Sequence, residues 1–566
     1  MAAACSAAWS SSSEPARMAS LTSADLVLCA AIAAYVIAWW WRSLPARRAL
    51  LWLAALISLA AGLQGVLDDR WQAGAGVAAG VFFLLGAIVA GRRRPLLGSL
   101  LSLAGVAGIA LPWLFPVTPL PVPTGPHAVG LRSFELVDES RRGLFGAAPG
   151  VPRRLLVRAW YPAVPVTGAQ PRAYFSEQEA RTTARDFGSL LGFPPLLGYL
   201  KHVRTNSFED APLAPGTGRL PTLFYSHGYT GYAQLNAALM EELASHGYVI
   251  YSVQHSGDAS STVFPDGSVA PMDPGLVRHM RESFEKGFPP DLIRAYSTAD
   301  FSERIDAQLA TAERMAAEGN RAAVESPWVW FADRRFVHDR LQAGLAPDNV
   351  KDLLAASDFS RTGELGISFG GTTSAAICMV DRRCAAAVNL DGGDFHFSTF
   401  GADLPVPLLM FHAELEGFYR MLGVEPQGEL RSFNDFSYES FGHAGQRADI
   451  YRMVLKGAIH SGLTDTGLFM RRPLRDGMFG SAPDRILVGA PNAFVMGFFD
   501  HHLRGMDNGF PATQYRRYDG WVQRYDNSPV RQWWSGLPAE AREAIMARIA
   551  ALKARLPPAA TGVVHE

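Results

Sequence analysis

The chain has 566 residues, with 52 Lys and Arg against 53 Asp and Glu and a net charge of −1. Near-neutrality gives no electrostatic case for a nucleic-acid partner, and the length calls for two to four folding units. The four cysteines, Cys5, Cys29, Cys378 and Cys384, contain no C-x2-C pair, so neither a metal nor a redox dithiol is expected, and no cofactor.

Residues 1–24 are small and Ser/Ala-rich and are expected to be disordered. Four apolar stretches follow, Leu26 to Trp41, Ala49 to Leu67, Ala73 to Gly91 and Leu96 to Val117, none with a charged side chain. Each has about the length needed to cross ~30 Å of hydrocarbon, which predicts four transmembrane helices over 25–117. Arg42, Arg47 and Arg48 follow the first stretch, and Arg92, Arg93 and Arg94 follow the third. The second is followed by Arg70 beside Asp68 and Asp69. An excess of Lys and Arg marks cytoplasmic loops, so the chain beyond the bundle is expected on the extracytoplasmic side, with the protein integral to a bacterial inner membrane. With no charge inside the stretches to mark an ion path, the bundle reads as an anchor in the lipid bilayer.

Pro116 to Pro126 holds five prolines and reads as a semi-rigid linker, placed at 118–128. From 129 to 566 short β-rich runs alternate with helical sequence. Arg154 to Tyr161, Pro221 to Ser226, Tyr248 to Val253, Glu364 to Ile367, Ala386 to Leu390 and Pro407 to Phe411 read as strands, and Ala233 to His246 as a helix stopped by Gly247. This alternation predicts an α/β fold, a mainly parallel sheet covered on both faces, with the site at the carboxyl ends of the strands. A helical insertion around 265–325 interrupts the rhythm and is a candidate lid, while Trp328 to Leu341 reads as a regular helix of the core.

Gly366-Ile367-Ser368-Phe369-Gly370-Gly371 fits G-x-S-x-G between a strand-like run and an Ala/Thr-rich helix. That context marks a strained strand-to-helix turn that exposes a serine Oγ, so Ser368 is the candidate nucleophile. Ser226-His227-Gly228-Tyr229 follows an earlier strand and is the candidate second half of an oxyanion hole, with backbone N–H donors on Tyr229 and Phe369. The base should follow the nucleophile in the chain, which leaves His396, His412, His443, His460, His501 and His502. His460 lies in a small-residue loop after the strand-like Tyr451 to Leu455 and is the candidate base. His412 is second, and His501 and His502 fall on a helix. For the acid, Asp391 and the pair Glu414 and Glu416 are evenly matched by position, and Asp394 reads as a turn residue.

Several segments together resemble the platelet-activating factor acetylhydrolase family of serine esterases, including its bacterial lipase-like members. They are Pro123-Thr124-Gly125-Pro126, Trp160-Tyr161-Pro162-Ala163, Ser226-His227-Gly228, Val253-Gln254-His255-Ser256-Gly257-Asp258, the Ser368 motif, Asn389-Leu390-Asp391-Gly392 and Lys456-Gly457-Ala458-Ile459-His460. The resemblance runs from about Pro123 to Tyr525 and leaves the apolar helices outside it. It implies an α/β-hydrolase fold, Asp391 rather than Glu414 as the acid, His460 as the base, and structural support from His255 and Asp258. It also implies ester substrates, with short or oxidised acyl chains of phospholipids among them. The sequence departs from the family at Ile367, where His is frequent, and in the long insertion after Asp258.

The resulting expectation is a membrane-anchored serine esterase working through an acyl-serine intermediate. The same groups would serve amide or peptide hydrolysis, and a non-enzymatic membrane scaffold is the third reading. Cys378 and Cys384 flank a helix-to-strand turn and are either bridged or two buried thiols.

Overall fold

The computed structural model describes residues 21–91, 94–142, 151–394, 397–425 and 428–556. The start of the chain up to residue 20, Arg92, Arg93 and His396 lie outside the described residues. The chain divides into two compact units, Met1–Pro121 with Arg172–Thr205 and Leu468–Arg475, and Val122–Pro171 with Asn206–Gly467 and Asp476–Glu566.

The first unit is built on helices α1 (Ser23–Trp40), α2 (Arg47–Leu67), α3 (Gly74–Ile88) and α4 (Pro95–Leu114). With a short 3-10 turn ahead of α3, all four are long and apolar enough to cross a membrane, by length and composition. Small residues let the helices approach closely. A Cβ on Gly62 would stand 2.7 Å from the Val77 backbone nitrogen, and one on Gly80 2.7 Å from that of Leu59. Large side chains turn outward instead, among them Leu53, Phe82, Leu85, Leu100 and Leu103, all more than half exposed. An apolar outer face of this kind is unfavourable in water.

The first helix begins three residues before its apolar run, because Thr22 caps it and exchanges hydrogen bonds with Asp25. The helix therefore takes in one carboxylate ahead of the charge-free stretch Leu26 to Trp41. Asp25 is buried and pairs with Arg70 at 3.0 Å. The same guanidinium donates to the carbonyls of Phe115 (2.6 Å) and Pro112 (2.9 Å) and lies over the ring of Tyr199. One buried cation thus joins the start of α1, the α2–α3 turn, the end of α4 and the later segment Arg172–Thr205. Around it Trp71 packs edge-on against Phe115 and Phe193, and Lys201 bridges Asp68, Asp69 and Glu177. From the segment Leu468–Arg475, the Arg471 N–H donates to the Leu114 carbonyl (2.8 Å). The opposite end of the bundle is basic, where Arg47 donates to the carbonyls of Ala38, Trp39 and Ala90, and Arg42 to that of Gly91. Removing one member of a buried ion pair strands the other. Arg70→Met should cost about 3–5 kcal/mol and lower the thermal unfolding midpoint of the full chain in detergent.

The second unit is a ten-stranded sheet. Its strands are β1 (Ala128–Arg142), β2 (Pro152–Ala163), β3 (Ser207–Glu209), β4 (Leu220–Ser226), β5 (Val249–Gln254), β8 (Ser357–Ile367), β9 (Cys384–Leu390), β10 (Leu408–His412), β11 (Ile450–Leu455) and β12 (Val522–Arg524). A separate hairpin holds β6 (Thr262–Val263) and β7 (Val269–Ala270). The order is β12-β11-β10-β9-β8-β4-β5-β2-β1-β3, and the six strands from β5 to β11 in that order are mutually parallel. The sheet is thus mixed and mostly parallel, as the alternating pattern predicted. β2 and β12 run antiparallel to their neighbours.

The central strands are buried along their length, which fits their unbroken apolar character. One face packs Val157, Phe224, Val249 and Tyr251 against Val337 and Leu341 of the helix Ser326–Gln342. The insertion forms helices Pro274–Lys286, Pro290–Ser297, Phe301–Ala317 and Arg321–Val324. It buries Tyr296, Ile305 and Leu309 with Phe433, Phe436 and Ile549, the last from the helix Ala539–Arg555. Cys378 and Cys384 are bridged, closing the turn between the helix Phe369–Cys378 and β9.

Candidate active site

The parallel strands deliver the chemistry-bearing residues to one edge. His227 follows β4, Ser368 follows β8, Asp391 follows β9, and His460 lies on a short turn after β11. Ser368 sits at φ 56°, ψ −125°, a conformation that costs a non-glycine residue about 1–3 kcal/mol. Packing fixes it there. Its N–H donates to the Leu390 carbonyl (2.8 Å), and its own carbonyl accepts from Gly371 (2.9 Å) at the start of the helix. Glycine is required two residues on, since a Cβ on Gly370 would lie 2.0 Å from the Ser226 carbonyl oxygen and 2.4 Å from that of His227. Backbone atoms of a central strand cannot yield cheaply.

Ser368 Oγ lies 3.0 Å from His460 Nε2, and His460 Nδ1 lies 2.7 Å from Asp391 Oδ2. The imidazole is therefore held between a hydroxyl and a carboxylate, as a proton carrier must be. Asp391 is oriented by its backbone, with its N–H donating to the Phe411 carbonyl and its Oδ1 accepting from the Ala413 N–H (2.9 Å). Beside it Asn389 accepts from the Gly392 N–H (2.7 Å) and donates to Tyr438 Oη (2.9 Å). The His460 side chain keeps half its surface open to solvent. Burial works against its protonated form, but the hydrogen bond and charge of Asp391 outweigh it, and the imidazole pKa lies above its ordinary value.

The other candidates have different surroundings. Glu414 accepts from the Gly457 N–H (3.0 Å), and its own N–H donates to the Ala458 carbonyl (2.9 Å), so it braces the loop that carries His460. Glu416 pairs with exposed Arg420. His412 is buried 3.9 Å from the other Asp391 oxygen, and burial drives its pKa down to about 4, which keeps it neutral. Asp394 is buried and accepts from Thr399. His443 pairs with Asp403 at the surface, and His501 and His502 end the helix Gly489–His502.

The His227-Gly228 turn stands against Ser368, with a Cβ on Gly228 only 3.4 Å from the Ser368 Cβ. The Tyr229 and Phe369 rings lie 5.0 Å apart, so the two expected oxyanion donors belong to adjacent residues in space. Beneath the turn lies a buried polar cluster around His255, for which the family resemblance implied structural support, joined by Asp333 and Trp330. His255 places Nε2 3.2 Å from Ser226 Oγ and Nδ1 3.0 Å from Asp333, and stacks on Trp330 at 3.9 Å. Burial lowers the His255 pKa to about 4 despite Asp333, and that of His227 to about 3. Burial opposes charge on Asp333 too, but Arg153 and Arg141 hold its carboxylate well below the ordinary range. No group of three or more potential metal ligands occurs among the described residues.

Gly370→Ala should lower kcat/KM for a small ester by about a hundredfold or more with secondary structure intact by circular dichroism, since loss of preorganised geometry costs that much. If His460 takes the Ser368 proton it must be neutral, so activity should fall as pH drops through its raised pKa. The acid limb of kcat/KM is expected above the ordinary value of 6.5, and Asp391→Asn should shift it downward while cutting the rate by about 10³–10⁴.

Comparison with known proteins agrees with the resemblance read from the motifs. Residues 118–273 match the family model described as "Platelet-activating factor acetylhydrolase, isoform II". That region includes the His227-Gly228 turn and the His255–Asp258 segment and stops before Ser368. A platelet-activating factor acetylhydrolase of Cavia porcellus is 23% identical over 305 residues, covering 48% of this chain and 61% of the relative. One of Gallus gallus is 22% identical over 303 residues, covering 52% and 65%. The chain thus spans less than two thirds of the length of these relatives. A solved ferulic acid esterase from Streptomyces cinnamoneus is 22% identical with a TM-score of 0.46, covering 72% of this chain and 99% of that one. The family match and the two relatives support kinship with the platelet-activating factor acetylhydrolases.

Proposed function

We propose that this chain is a membrane-anchored serine esterase of α/β-hydrolase fold. Ser368 is the nucleophile, His460 the general base and acid, Asp391 the residue that orients His460, and the backbone N–H groups of Tyr229 and Phe369 the oxyanion donors. The observation that carries this reading is the hydrogen-bonded series Ser368–His460–Asp391, at 3.0 and 2.7 Å, on the carboxyl edge of a parallel sheet. His460 Nε2 takes the Ser368 proton as Oγ attacks the ester carbonyl, then gives it to the departing alkoxide. Water enters, loses its proton to the same nitrogen, and releases the acid from the acyl-serine.

Kinship with the acetylhydrolases supports phospholipids with short or oxidised acyl chains as substrates. A lipid setting is supported by the four apolar helices and their outward Leu and Phe side chains. The basic end of the bundle, with Arg42, Arg47 and Arg48, suits a cytoplasmic face, and the end with Asp68 and Asp69 an outer one. The second unit is then extracytoplasmic, where the Cys378–Cys384 bridge would persist. The domain reading is a bundle over 25–117, a proline-rich linker and a hydrolase region over 129–566.

Labelling of membranes with a fluorophosphonate tests the assignment. Wild type should be modified at Ser368, and Ser368→Ala should not label. A folded wild-type chain that neither labels nor hydrolyses short-chain esters would overturn the reading.

A further inference from the structure

The oxyanion turn is strained, and the means by which it is held leads away from the triad. Thr230 is β-branched yet sits at φ 64°, in the left-handed region that such residues avoid. Its N–H donates to the Asp258 carbonyl (2.8 Å), and its carbonyl accepts from the Ser260 N–H (3.0 Å) and Oγ (2.7 Å). The segment from Asp258 to Ser260 is thus the template on which Tyr229 and Thr230 are folded.

That template is itself pinned by a charge. The Asp258 side chain is buried and accepts from Trp330 Nε1 (3.0 Å). It also forms a partly buried ion pair with Arg321, at the start of the helix Arg321–Val324. Arg321 reaches with its other amino group to Asp273, just before the first helix of the insertion. One guanidinium therefore clasps the beginning and the end of the insertion together on the residue that supports the oxyanion turn. Tyr229 adds a second tie, its Oη lying 3.0 Å from Ser326 Oγ.

We propose that Arg321 is a positioning residue for the oxyanion hole: by clasping Asp258 and Asp273 it couples the seating of the 274–325 insertion to the placement of the Tyr229 backbone donor. The inference rests on the esterase reading above and names a residue that touches neither nucleophile nor base. A donor displaced by a fraction of an ångström still allows substrate to bind but stabilises the tetrahedral intermediate less, so the loss falls on kcat.

The test compares the full-length wild type, Arg321→Met and Arg321→Lys in detergent on a short-chain aryl ester and its thionoester, whose developing charge sits on sulfur and gains less from the oxyanion donors. Arg321→Met should lower kcat on the ester by about 10–100-fold, somewhat less than removal of a whole donor. KM should stay within about twofold, and the ester-to-thionoester rate ratio should shrink in step with kcat. Lysine keeps a charge but cannot fork to two carboxylates, so Arg321→Lys should fall between, about 3–10-fold down. A folded Arg321→Met with unchanged kcat and rate ratio overturns the proposal. So does a rise in KM at constant kcat, which would make Arg321 part of the substrate wall. If Arg321→Met does not fold, an unchanged rate ratio in Arg321→Lys is the overturning result. Failure of the wild type to hydrolyse the ester defeats the esterase reading instead, so the two failures are distinguishable.

Discussion

The second unit depends on one backbone constraint, a serine held at positive φ where β8 passes into the helix Phe369–Cys378. A strand and a helix cannot meet this sharply unless side chains are absent on both flanks. Gly366 and Gly370 supply that absence, their missing Cβ atoms falling within 2.3 Å of neighbouring backbone atoms. Once the turn is made, the helix packs on the sheet, β9 is brought alongside by the Cys378–Cys384 closure, and Asp391 emerges one strand away. The strain is local, whereas the burial that offsets it extends through β4, β8 and β9.

Much of this was legible in the sequence, for physical reasons that differ from place to place. The G-x-S-x-G turn could be read because its glycines answer steric demands, and the central strands because burial on both faces leaves unbroken apolar runs. Strand β1 is hard to read because its second half is interrupted by the charged residues Glu135, Asp138, Glu139, Arg141 and Arg142 without regular alternation. The choice between Asp391 and Glu414 was open by position, since both follow a strand beside His460. They part in what each carboxylate accepts, the His460 imidazole in one case and the Gly457 N–H in the other. That difference is three-dimensional and leaves no periodic trace. Asp25 lies just ahead of the first apolar run, and the Thr22 cap and Arg70 partner that fix its role leave no trace in that run.

The unit also holds a second serine–histidine–aspartate series, Ser226–His255–Asp333, with distances close to those of the first. Its members are entirely or almost entirely buried. No substrate carbonyl could approach Ser226, and burial keeps His255 unprotonated near neutral pH. The same three side-chain types thus cross-link the interior beneath the His227-Gly228 turn in one setting and line a solvent-open edge of the sheet in the other. Solvent access separates the two, together with the strained turn that lifts Ser368 clear of its strand.

The first unit is not made from one end of the chain. Arg172–Thr205 and Leu468–Arg475 belong with the helices, so the polypeptide passes between the two units five times. Tyr199 is wholly enclosed, with Phe115 edge-on to its ring and Arg70 above it, and its hydroxyl donates to the Phe469 carbonyl. A unit woven in this way cannot be removed by one cut. Deleting the helices at the proline-rich stretch would strip Trp71 from Phe193, and Phe115 and Arg70 from Tyr199, and leave two orphaned segments in the remaining polypeptide, exposing apolar surface that favours aggregation. A single cut in the proline-rich stretch would therefore divide the first unit rather than separate it from the second.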